Sequence, residues 1–187
     1  MSSSLIDHSA IVSAVTTWLE KAVIGLNLCP FAKSVYVRDQ VRLVVSEATT
    51  TEELARALID ELSFLHAADA AQTDTTLLIH PWILQNFTDY NDFLGVADMI
   101  VEQMGLTGEL QIASFHPAYQ FEGTSKDDIT NYTNRAPYPI LHLLRESSLE
   151  TALARYPDPD SIYRNNIALL RKLGLSGWKA LGIPTGK

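Results

Sequence analysis

Apolar side chains at Ile11, Val15, Trp18, Leu19, Ala22, Val23 and Leu26 fall at helical spacing and predict a first helix. Asp7 or Ser9 is placed to cap it. Gly25 and then Pro30 limit it, because a residue before proline resists the helical region. The run Val41 to Val45 reads as a short buried strand. Thr50 and Glu53 have the spacing of a capping box, and Leu54, Leu58, Leu62 and Leu65 then mark one face of a second helix. Thr75 to Ile79, β-branched at its start and apolar throughout, reads as a second strand. Asp89 opens a third helix with Phe93, Ala97, Ile100, Val101 and Met104 inside, and Gly105 stops it. Leu110 to Phe115 is the third strand.

The pattern then changes. From Pro117 to Pro139 the chain is polar and rich in Asn, Thr, Asp and aromatics, without sustained periodicity. A loop of that length in a compact domain is usually functional or disordered. Tyr119, Phe121, Tyr132 and Tyr138 argue against disorder. Helix is expected again from Pro139, from a second capping box at Ser147 and Glu150, and from Asp158-Pro159, with Ile162, Leu169, Leu170 and Leu173 inside. The tail after Gly174 is expected to be loosely held.

Three near-continuous apolar strands joined through helices predict an α/β fold: a small, mainly parallel β-sheet with a β-α-β-α-β core, an N-terminal helix and a C-terminal helical segment. The expected organisation is a single domain over residues 1–187, with an ordered core from about 8 to 174. In such sheets ligands bind outside the carboxyl ends of the strands. His80 and His116 each follow the last apolar residue of a strand and precede a proline and an aromatic-bearing segment, and Ser46 and Glu47 follow the first strand in the same way. All would meet at one edge if the strands are parallel. A ferredoxin-like antiparallel sheet is the rival topology and separates them.

Composition narrows the function classes. A domain of this length buries roughly 70% of its unfolded-chain surface and needs no staples. The net charge of −8 disfavours nucleic acid and anionic membrane as partners, although it leaves room for a local basic pocket. Cys29 is the only cysteine, so no internal disulfide forms. The first seven residues lack a secretory signal pattern, and no apolar run approaches the roughly 20 residues that span a bilayer. The expected location is cytoplasmic and the expected partner a small-molecule ligand.

Candidate chemistry centres on Cys29 and His116. Cys29 lies in a shaped Asn27-Leu28-Cys29-Pro30 turn and reads either as a buried small hydrophobe or as a reactive thiolate. His116 opens the long loop, where catalytic groups are often carried; the alternative is a strand-end histidine bonded to a backbone carbonyl. Asn134 and Arg135, beside an expected helix start, suit an anionic or carbonyl-bearing substrate, with Tyr119 nearby. Arg135 could equally pair with Asp127 or Asp128 and pin the loop. Glu47, Asp127 and Asp128 are the carboxylates available to orient a histidine. His142, in Leu141-His142-Leu143, reads as a structural residue inside a helix, and His8 and His66 as surface residues. A mixed Cys29/His80/His116 set has donors suited to zinc or another divalent metal. No nucleotide-binding glycine loop, nucleophile elbow or zinc-protease motif is present.

The stretches Gly25 to Ala32, Asp89 to Leu94, Ala113 to Gly123 and Asn131 to Glu146 resemble an uncharacterised, mostly bacterial family, domain of unknown function 1415, from about Val15 to about Leu173. The resemblance implies a cytoplasmic single-domain protein and implies no activity. Its motifs include Cys29, His116, Asn134 and Arg135, and the last one also His142, Arg145 and Glu146. The leading expectation is a small-molecule hydrolase or transferase, with Cys29 as nucleophile and His116 as general acid/base. The alternatives are a metal- or ligand-binding protein without turnover, and a protein-interaction module using the aromatic loop 117–139.

Overall fold

The computed structural model describes residues 8–186. Asp7 therefore lies outside the described residues, and Ser9, the other candidate cap, sits inside helix α1 (His8–Trp18). α1 runs into a π-helix, Leu19–Ile24. The Gly25 N–H closes it on the Glu20 carbonyl five residues back, at 2.9 Å. A Cβ on Gly25 would stand 2.5 Å from the Lys21 carbonyl oxygen, so glycine is required where the π turn ends. The chain then turns through Asn27, which has a positive φ of 55°, to Cys29 and α2 (Ala32–Val37).

The sheet is built from β1 (Val41–Val45), β2 (Thr75–Ile79), β3 (Leu110–Phe115) and β4 (Ile140–Arg145), in the order β1-β2-β4-β3. β1 and β2 pair in parallel around α3 (Thr51–Ala67). β4 pairs antiparallel with both β2 and β3. The expectation of a mainly parallel sheet is thereby corrected to one parallel and two antiparallel pairings. The reason is a missed strand: Ile140 to Arg145, expected to be helical, is a central strand carrying His142. A six-residue apolar run does not distinguish strand from helix by period alone. Because β4 reverses between β2 and β3, those two still point the same way, and the carboxyl ends of β1, β2 and β3 share one edge.

Helices cover both faces. On one, Leu78, Leu141 and Leu143 pack with Leu54, Leu58 and Leu62 of α3 and with Tyr90, Phe93 and Ala97 of α4 (Phe87–Gln103). On the other, Leu77, Ile79 and Ile140 pack with Ile11, Val15 and Trp18, the π-helix, and Leu170 of α6 (Asp160–Ala180). This division follows from the period of two in the strands, which sends alternate residues to opposite faces.

Local signals explain most helix ends. The Thr50–Glu53 capping box forms as expected. α4 starts two residues before Asp89, because the Asn86 side chain accepts from the Thr88 and Asp89 N–H groups. The expected box at Ser147 and Glu150 does not form: α5 (Glu146–Ala154) begins directly from β4, and Ser148 instead donates to Asp74 at 2.6 Å. The chain beyond Gly174 is held rather than loose. Gly174, with a positive φ of 65°, kinks the chain out of the helical path, a second helical stretch follows to Ala180, and Trp178 in it packs edge-on against Tyr132.

Candidate ligand-binding site

The strand-edge histidines are occupied by the backbone around them. His116 accepts the Ala118 N–H at Nδ1, at 3.0 Å, which makes Nδ1 the bare nitrogen. Its Nε2–H then donates to the Leu84 carbonyl, also at 3.0 Å. Leu84 has a positive φ of 58°, so His116 clamps a strained turn to the start of the long loop. His80 is fully buried, contacts the Ile83 carbonyl through Nδ1 at 3.2 Å, and stacks on Tyr90. Its Nε2 is buried without a partner. Burial, with His116 nearby, pushes His80 down to about 4. Burial also lowers His116, against the opposing pull of the Leu84 carbonyl.

The loop residues are likewise engaged. Arg135 donates to the carbonyls of Tyr119 at 3.1 Å and Lys126 at 2.6 Å, and stacks over the Tyr132 ring. It pins the loop, through carbonyls rather than through Asp127 or Asp128. Asn134 donates to the Ser114 carbonyl at 3.0 Å. Tyr119 packs between Phe87 and Phe121. Asp128 caps the short 3-10 helix Ile129–Thr133, Asp127 is exposed, and Glu47 pairs with His8 at the surface. None of these three carboxylates bonds to His80 or His116.

Cys29 belongs to the other face of the sheet. His80 and His116 pack with Tyr90 on the α3/α4 side, whereas Cys29 packs with the π-helix cluster. The sheet thus separates the Cys29–His116 pair and the Cys29/His80/His116 metal set. Among the described residues no group of three His, Cys, Asp or Glu side chains is arranged to hold a metal ion.

What Cys29 does share is a cavity of about 700 Å³. One wall is Trp18, the π-helix and α2; the floor is Leu77, Ala113, Phe115 and Leu144; α5 closes the side. It lies over the face of the sheet, beside the amino ends of β1 and β2, away from the carboxyl edge where a site was expected. Two features open this space. The π-helix carries its residues off the α-helical path, a distortion common at functional sites. Ala113, which pairs with His142 across the sheet, is small and leaves room beside the imidazole, whose ring contact is with Phe115 at 5.9 Å.

His142 is the most informative group in the wall. Thr75 Oγ1 lies 2.7 Å from His142 Nε2 and 2.6 Å from the Leu143 carbonyl. The carbonyl can only accept, so the single hydroxyl proton goes there, and His142 must donate from Nε2–H. Nδ1 is then a bare lone pair with no partner among the described residues. Desolvation pushes His142 down to about 4, which keeps the ring neutral at pH 7. The Cys29 thiol is raised by burial, only partly offset by the Phe31 and Ala32 N–H groups. Gln40 is buried between Arg38 and the Ala71 carbonyl. The two N–H groups of Arg145 Nη2 are shared among the carbonyls of Leu65, Ala68 and Thr73, at 2.5, 2.6 and 3.2 Å, closing the end of α3.

The sequence by itself does not single out Thr75, and it marks His142 only as a residue of the last family-like stretch. The available signal was the alternation in Ile140-Leu141-His142-Leu143, which puts a histidine on the face opposite two buried leucines.

No curated protein and no solved structure matches the chain. The model of a protein family of unknown function, DUF1415, matches residues 10–180, and the chain belongs to that family.

Proposed function

We propose that this protein binds a small, largely apolar molecule in the cavity beneath the π-helix, with His142 Nδ1 as an acceptor open to the cavity, for a ligand donor or for water. The observation that carries the reading is the cavity itself: about 700 Å³, mostly apolar walls, and a neutral imidazole whose free nitrogen has no partner among the described residues. Ligand pockets are typically about 300–1,000 Å³, apolar, with a few placed polar groups. The net charge of −8 supports a small molecule over nucleic acid as the partner.

A second reading is a hydrolase or transferase in which Cys29 is the nucleophile and His142, rather than His116, is the base. It is favoured by the presence of thiol and imidazole in one cavity wall. Binding stands first because burial holds the thiol protonated at neutral pH, and the thiolate is the reactive form.

The test uses N-phenyl-1-naphthylamine, a neutral fluorophore that brightens in apolar surroundings. Saturable one-to-one binding is expected for the native protein, and its loss in Ala113→Trp, which fills the cavity over His142. A folded Ala113→Trp protein that binds the dye as tightly as the native one refutes the site.

A further inference from the structure

The charges in the cavity wall run against those of the whole protein. Arg38, Arg145 and Arg155 line it, against the single carboxylate of Asp74. Asp74 is engaged by the Ser148 hydroxyl. The ion pairs among the described residues are His8–Glu47, Arg42–Glu61, His66–Glu109 and Arg164–Asp158, so none of the three cavity guanidiniums has a carboxylate partner. Arg145 is held at Nη2 by backbone carbonyls at the end of α3, which offset its charge only in part, and its buried Nε has no partner among the described residues. Arg38 and Arg155 are exposed lining residues at the ends of α2 and α5, and Arg38 donates from Nε to Gln40 at 2.8 Å, which leaves its Nη groups available. A surplus of positive charge lining a concave surface, on a chain of net charge −8, attracts an anion.

The rest of the wall fixes the other half of the ligand. Trp18, Leu19, Val23, Leu77, Phe115 and Leu144 line much of it with apolar surface, among which Thr75, His142 and the unpartnered Trp18 N–H are polar groups. Resting on the reading of the cavity as a binding site, we infer that its ligand is an apolar carboxylic acid, with the carboxylate at the mouth between Arg38 and Arg155 and the hydrocarbon body beneath the π-helix. Guanidinium suits this role because its planar donors match a carboxylate and its charge persists at any physiological pH. The alternative for Arg38 and Arg155 is that each merely offsets the negative end of its own helix. That alternative predicts no effect of either arginine on ligand affinity.

The experiment is calorimetric titration of the native protein with octanoate and, separately, with 1-octanol, which share the chain and differ in the head. Octanoate is expected to bind about tenfold more tightly, and the difference is expected to shrink as salt is raised. Arg38→Gln/Arg155→Gln, at two exposed positions, is expected to weaken octanoate about tenfold and leave 1-octanol unchanged. Equal affinity for both compounds in the native protein overturns the anionic head while leaving the cavity as a binding site. Octanoate binding that the double variant does not alter also overturns it, because the carboxylate then sits elsewhere. Binding of neither compound overturns this inference, and the dye titration then reports separately on the cavity.

Discussion

Lowering the pH from 7 to 5 should destabilise the protein through His80 and His142. Each is pushed from an ordinary 6.5 to about 4 in the fold, by desolvation first in both cases. A histidine with a depressed folded value binds a proton more readily when unfolded. Its contribution is therefore full above about 6.5 and is lost as pH falls toward 4. For these two values the loss between pH 7 and pH 5 is about 2 kcal/mol per group. His80 is fully buried and takes that figure. His142 lines the cavity, where water solvates a protonated ring, so about 1 kcal/mol is the better figure. His116 shifts in the same direction and adds to the loss. The two carboxylates with shifted values do not mimic this, because Glu53 and Asp128 are held below their usual 4.5 and 3.8 and titrate under the window. Urea unfolding at pH 7 and pH 5 should show the native protein losing about 3 kcal/mol or slightly more. His80→Gln should lose about 2 kcal/mol less over the same interval, and His142→Gln about 1 kcal/mol less. Both variants start from lower stability at pH 7, so only the difference between the two pH values carries the test. A pH dependence in His80→Gln equal to that of the native protein would refute the reasoning.

Two further outcomes follow from single groups. The Tyr90 hydroxyl donates to the Ile140 carbonyl at 2.7 Å and accepts the Phe115 N–H at 3.1 Å, tying β3 to β4, so Tyr90→Phe should cost about 1–3 kcal/mol in urea unfolding; an unchanged midpoint would show that neither bond contributes. Burial raises the Cys29 thiol above its ordinary 9.0, so iodoacetamide should alkylate it in the native protein with half-maximal rate above pH 9 and faster after denaturation. A midpoint below pH 8 would contradict this and favour the nucleophile reading.

Much of the secondary structure is determined locally and was legible in the chain. The Thr50–Glu53 box, the leucines of α3 and the apolar runs of β1, β2 and β3 each carry their own signal, because caps and periodicity act over a few residues. The direction of β1, β2 and β3 also followed from their helical crossovers. Tertiary pairing decided the rest. Ile140 to Arg145 fits helix or strand equally well in isolation, and the open edges of β2 and β3 select strand by satisfying its backbone groups on both sides. That selection puts β4 inside the sheet, sends His142 to the face shared with Cys29, and leaves His116 on the opposite one. The roles of individual polar side chains were decided the same way. His116 and Arg135 are residue types that bind ligands, yet nearby carbonyls and N–H groups claim them. His142 keeps a free nitrogen only because Thr75, far away in the chain, takes the other one. Sequence names the groups able to do chemistry. Which of them remain free depends on which backbone groups the fold brings within hydrogen-bonding reach.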